Sequence, residues 1–310
     1  MRRDERNRRP RSRAVQQSLG EPPAMSMTAH RLICLGPHGF YNLVCLRWTP
    51  TAEAGPPVVC VHGLSRNGRD FDALAAQLSA RRLVVAPDLP GRGLSDWLPA
   101  KADYGYPLYL AAVAALIGSL GAERIDYVGT SMGGIIGMML ASQPNSPIRR
   151  LVLNDVGPLI PRAALERIGR YVGKDERFGD LAAVEAYFRR VAAPFGDLTD
   201  AQWRHMAVHG SRRVAEGSLA LAYDPAIGAP FQGEQRDVDL WSVYERVCCP
   251  TLVIRGAQSD LLLPETARAM TERGPKAALL EVPGAGHAPA LMAAEQISAI
   301  DAFLADGEML

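Results

Sequence analysis

The chain of 310 residues contains no uninterrupted apolar run of about 18 residues, so nothing in it reads as a membrane span. It carries almost no excess charge. Lys and Arg total 34 against 33 Asp and Glu, a formal net charge of +1, so there is no bulk electrostatic reason to expect nucleic acid or an anionic membrane as partner. Cysteine is sparse and odd in number. Cys34, Cys45 and Cys60 sit in apolar runs, and Cys248 and Cys249 are adjacent, a pattern of reduced thiols and not of a disulfide framework. No internal repeat is visible. Residues 1–13, MRRDERNRRPRSR, hold seven arginines against Asp4 and Glu5, but AVQQSLGEPPAMSM supplies no apolar stretch behind them, so an export signal is not expected. Residues 1–29 read as a disordered basic tail, or as an extension upstream of a chain starting at Met25 or Met27. The cytoplasm is then the default location.

What is present is an ordinary globular composition, 48% hydrophobic and 22% charged, enough to bury a substantial core. From about residue 30, strand-like and helix-like segments alternate. RLICL and YNLVCLRW flank GPHG as a hairpin. PPVVCVHG, LVVAPDLPG, IDYVGT and RLVLND are short apolar runs, separated by helical patterns at RDFDALAAQLSA, LYLAAVAALIGSLG and MGGIIGMMLASQ. Alternation of this kind predicts a mostly parallel sheet with helices on both faces. The rhythm breaks at 156–247, which is helical, charged and irregular, and resumes at PTLVIRG, AALLEVPG and a last helix near 291–305. The expected organisation is a core of 30–155 and 248–310 interrupted by a helical cap over 156–247.

Gly129-Thr130-Ser131-Met132-Gly133 matches G-x-S-x-G between a strand and a helix, a turn that strains the serine and exposes its hydroxyl. Ser131 is the expected nucleophile. A serine hydroxyl needs a base, and the base an orienting acid. His287, in the loop of EVPGAGHAPAL after the last strand, is the expected base. Asp260, in IRGAQSDLLLP after the preceding strand, is the expected acid, with Asp155 at the end of RLVLND as its rival. The loop His62-Gly63-Leu64 follows another strand, so the Leu64 and Met132 backbone N–H groups are the expected oxyanion donors, and His62 is expected to make a structural hydrogen bond. His205 and His209 stand four apart on a helix, as zinc ligands do. Met206 and not glutamate follows His205, and no third ligand is evident, so no metal is expected. Arg212 and Arg213 read as a solvated face, with an anionic substrate group as the alternative. Tyr171, Phe188, Trp203 and Tyr223 are candidates for a pocket lining, or for packing within the cap.

Together these motifs resemble the α/β-hydrolase superfamily from about residue 31 to the C-terminus. VCVHGLSRNGRDF is similar to its oxyanion loop, and PDLPGRGLSD to its D-x-x-G-x-G-x-S turn through Asp88, Gly91, Gly93 and Ser95. GTSMGG resembles the nucleophile elbow of its esterases, cofactor-free haloperoxidases and C–C hydrolases. RGAQSD and GAGHAPAL resemble its acid and histidine loops, in the chain order Ser, Asp, His. The resemblance implies an eight-stranded sheet with an antiparallel second strand, a helical lid and no cofactor. Ser131 stands where dehalogenases and epoxide hydrolases of this fold carry aspartate, which argues against both. The activity expected is hydrolysis of small to medium carboxylic esters through an acyl-enzyme. A C–C hydrolase of ring-fission diketones, an acyltransferase or perhydrolase with the same triad, and a non-catalytic receptor are the alternatives. The expected partner is a small acyl compound; oligomeric state is not readable.

Overall fold

The computed structural model describes residues 27–50, 55–214 and 217–305. The expected tail therefore lies outside the described residues up to residue 26, and Met27–Ala29 already belong to the first strand. Eight strands form one sheet: β1 (Met27–Gly36), β2 (Gly39–Trp48), β3 (Val58–Val61), β4 (Val84–Asp88), β5 (Ile125–Thr130), β6 (Ile148–Asn154), β7 (Thr251–Gly256) and β8 (Ala278–Val282). Their spatial order is β1-β2-β4-β3-β5-β6-β7-β8. β2 runs antiparallel to both neighbours, and every pairing from β4 to β8 is parallel.

The inner strands are mostly apolar along their length because helices cover both faces; the polar exceptions include Asp88, Asp126, Asn154 and Arg255. Side chains alternate across the strand with a period of two. Val59, Val61, Tyr127, Leu151 and Leu153 therefore enter one core, and Val58, Cys60, Val128 and Val152 the other. The first core is closed by α2 (Tyr106–Ser119), α3 (Met132–Ala141) and α8 (Pro264–Glu272). The second is closed by α1 (Asp72–Leu78) and α9 (Ala294–Ala305). α3 is buried nearly all round, and its glycines let it press onto the sheet. A β-carbon on Gly133 would overlap the Val61 carbonyl, and one on Gly137 the Tyr127 ring.

Between β6 and β7 the chain forms α4 (Arg162–Gly169), α5 (Leu181–Val191), α6 (Asp200–His209) and the short α7 (Trp241–Tyr244). Three short strands, Arg177–Phe178, Ser211–Arg213 and Leu219–Leu221, pair within the same segment. Asp180 caps α5 by accepting the Ala183 N–H, and Thr199 and Gln202 form a capping box on α6. Among the described residues no helix is long and apolar enough to cross a membrane. All five cysteines are free thiols.

Candidate active site

Ser131 sits between β5 and α3 with φ 52° and ψ −118°, a left-handed conformation that costs a non-glycine residue about 1–3 kcal/mol. The surrounding backbone holds it there. The Ser131 N–H donates to the Asn154 carbonyl at 2.9 Å, and its own carbonyl accepts from Gly134 and Ile135. Gly129 is required because a β-carbon would run into the Gly133 and Gly134 backbone. The turn leaves the side chain facing the carboxyl edge of the sheet.

His287 arrives at the same place from the loop after β8. Its Nε2 lies 2.9 Å from Ser131 Oγ, and its Nδ1 lies 2.8 Å from Asp155 Oδ2. A carboxylate only accepts, so the Nδ1 proton donates to Asp155 and Nε2 keeps the lone pair that faces the serine hydroxyl. Asp155 is completely buried. Its other contacts come from the Gly256 N–H at 2.7 Å and the Ser259 hydroxyl at 2.6 Å, and its own N–H donates to the Ile254 carbonyl. Charge-assisted bonds to these donors compensate a buried carboxylate. Gly256 allows the histidine loop to pass, since a β-carbon there would overlap the Gly286 carbonyl.

The structure therefore corrects the expected acid. Asp260 does not reach His287. It is half exposed and pairs with Arg167 of α4, whose Nη2 donates to Oδ1 at 2.9 Å. Its neighbour Ser259 is the residue of that loop which points inward, and it reaches Asp155. In the turn that follows Gly256, closed by the Ser259 N–H to the Gly256 carbonyl, Ser259 is buried and Asp260 is left at the surface.

The Leu64 and Met132 N–H groups have no hydrogen-bond partner among the described residues. Their loops are fixed from below. His62 is fully buried, donating Nδ1–H to the Gly63 carbonyl at 2.7 Å and accepting the Leu89 N–H on Nε2 at 3.0 Å. Burial lowers its pKa to about 3, so it stays neutral. Arg92, which the motif reading passed over between Gly91 and Gly93, is also fully buried. It donates to the Leu64 carbonyl at 2.9 Å, the Pro90 carbonyl at 2.7 Å and the Tyr109 hydroxyl at 2.8 Å, and packs over the Tyr109 ring. The only sequence signal for it was an arginine inside a glycine turn. Asp88 anchors that turn by accepting the Gly68 and Leu94 N–H groups; burial raises its pKa to about 6.

Two hollows meet at Ser131. One of about 370 Å³ is walled by Tyr106, Tyr109, Ile135, Leu165 and Phe231, and is mostly apolar. The other, about 90 Å³, lies between Arg66, Phe71, Tyr171, Phe188, Met206 and His287. Tyr171 and Phe188 thus stand where a pocket lining was expected. Trp203 and Tyr223 do not: both are buried within the segment between β6 and β7, Trp203 beneath Arg189 and Tyr223 bridged to Arg92. Arg212 packs over Trp97, away from both hollows. Arg66 is the polar wall residue the sequence reading missed. It is 8% exposed, chelates Asp70, stacks on Phe188, and leaves Nη1 without a hydrogen-bond partner among the described residues.

The model of the alpha/beta hydrolase family matches residues 58–300, and the chain belongs to that family. It is 41% identical over 283 residues to a 3-hydroxybutyrate-oligomer hydrolase of Cupriavidus necator, covering 87% of this chain and 95% of that one. It is 32% identical over 238 residues to a 2-(acetamidomethylene)succinate hydrolase of Mesorhizobium japonicum, covering 76% and 82%. Among solved structures, an alpha/beta hydrolase from Novosphingobium aromaticivorans superposes with a TM-score of 0.81 at 34% identity, over 89% of this chain and 98% of that one. The protein is a hydrolase.

Proposed function

We propose that the protein is a serine esterase that cleaves short oligomers of a hydroxyalkanoic acid, with Ser131 as nucleophile, His287 as base and Asp155 as the residue that orients and charge-balances the histidine. The observation that carries this reading is the continuous chain Asp155–His287–Ser131, with bonds of 2.8 and 2.9 Å, at the floor of a hollow beside two backbone N–H groups that have no partner among the described residues.

His287 Nε2 takes the hydroxyl proton as Ser131 Oγ attacks the ester carbonyl. The N–H groups of Leu64 and Met132 hold the oxyanion; one such donor is worth about 10²–10³ in rate. The imidazolium then protonates the departing alcohol, and water repeats the sequence to release the acid. The similarity to a 3-hydroxybutyrate-oligomer hydrolase supports a hydroxyacid oligomer as substrate. The hollows agree in chemistry, with an apolar side for a short branched acyl chain and Arg66 as donor to an ester carbonyl or terminal carboxylate.

The test is release of monomer from 3-hydroxybutyrate dimer and trimer, beside p-nitrophenyl butyrate. The wild type hydrolyses the oligomers and Ser131 takes up a fluorophosphonate label. Ser131→Ala keeps the native circular dichroism spectrum and loses at least about 10³-fold in turnover. Retention of most activity by Ser131→Ala would remove the serine mechanism. Cleavage of p-nitrophenyl butyrate without any cleavage of oligomers would remove the substrate assignment alone.

A further inference from the structure

α6 of the cap presents His205 and His209 one helical turn apart, with ring centroids 4.5 Å from each other. No third ligand stands near them in sequence, yet the fold supplies one. Asp72, the first residue of α1 in the core, brings its carboxylate to the pair, and one donor atom from each of the three lies within 4.8 Å of the others. His205 Nε2 is 3.6 Å from Asp72 Oδ2 and 2.9 Å from the Arg69 carbonyl oxygen. We propose that Asp72, His205 and His209 form a binding site for a divalent transition ion of the zinc class, which clamps the cap helix α6 to the core.

Two imidazoles and a carboxylate are the donor set that zinc, nickel and copper prefer, whereas magnesium and calcium favour oxygen alone. Zinc bonds nitrogen and oxygen at about 2.0–2.2 Å, which separates tetrahedral donors by about 3.4 Å. The His205–Asp72 distance of 3.6 Å is already close to this, and no two of the three donor atoms are more than 4.8 Å apart. All three residues are half-buried, so an ion reaches them from solvent. His205 at present donates Nε2–H to Arg69, and binding moves that proton to Nδ1.

The competitor is Arg69. Its guanidinium chelates Asp72 at 2.9 and 2.8 Å, and an incoming cation must displace it. Its side chain is 27% exposed, which gives it access to solvent when the ion takes its place. The junction is otherwise built for contact, since Asn67 also donates to the His209 carbonyl at 2.7 Å. Met206, between the two histidines, lines the hollow beside Ser131, so an ion here fixes a wall of that hollow without entering the chemistry.

The experiment titrates the chelator-treated full-length chain with zinc chloride by calorimetry, in a Cys248→Ser, Cys249→Ser background that removes the least buried thiols as rival ligands. One equivalent binds. Affinity falls by about tenfold or more in His205→Ala and in His209→Ala, and rises severalfold in Arg69→Gln. Amide exchange in α6 slows on zinc addition only where both histidines remain. No saturable binding, or binding that neither histidine substitution weakens, would overturn the site. Binding through the histidines with unchanged exchange in α6 would overturn the clamp.

Discussion

His62 uses both ring nitrogens inside the protein, one as donor to Gly63 and one as acceptor from Leu89, and it carries no charge there. Its folded pKa of about 3 lies below its ordinary value near 6.5. A base whose pKa is lowered by folding contributes stability that is complete above the unfolded value and is lost as pH falls toward the folded one. By pH 5 the loss amounts to about 2 kcal/mol. Urea midpoints measured at pH 7.5 and pH 5 should therefore fall more in the wild type than in His62→Gln, which has no imidazole to protonate. Equal falls would remove this account of His62. The same scale shows where the sequence was readable. Ser131 announces itself through the glycines its turn requires. The acid does not, because the choice between Asp155 and Asp260 depends on which residue of the loop after β7 faces inward. Ser259 and Asp260 are one step apart, and no local pattern orders them.

At the scale of elements, α3 is defined as much by its glycines as by its apolar residues. A β-carbon on Gly133 meets backbone of β3, which cannot rotate away, whereas one on Gly118, at an exposed position of α2, meets nothing within 4 Å. Gly133→Ala should destabilise the fold by about 1–3 kcal/mol. Gly118→Ala should stabilise it by about 0.4–1 kcal/mol, by restricting the unfolded chain. Chemical denaturation of the two variants measures both; a neutral Gly133→Ala would mean that α3 rides further from the sheet. Strands and long helices were legible because a buried strand is a largely apolar run and an amphipathic helix carries its period. The two- and three-residue strands between β6 and β7 were not, since pairs such as Ala220 with Arg177 and Arg212 exist only through tertiary packing.

At the scale of the whole molecule, the sheet order gathers residues 131, 155 and 287. β5 and β6 are neighbours, so Asp155 at the end of β6 comes to lie beside the turn that follows β5. The histidine loop is tied to the segment between β6 and β7 as well, through Gly286 N–H to the Pro194 carbonyl and Ala290 N–H to the Phe195 carbonyl. Alternation of elements made the layered architecture readable, while strand order, which decides whose carboxylate is adjacent to whose imidazole, is a property of the assembled sheet. The hydrogen-bonded relay from Asp155 through His287 to Ser131 is the claim on which the mechanism rests. Its most direct test is kcat on p-nitrophenyl butyrate for Asp155→Asn and Asp260→Asn. The relay predicts a loss of about 10⁴-fold for Asp155→Asn, which removes the acceptor that fixes the histidine tautomer, and a change within a few-fold for Asp260→Asn, which breaks only a half-exposed pair with Arg167. A crippled Asp260→Asn beside an active Asp155→Asn would contradict it.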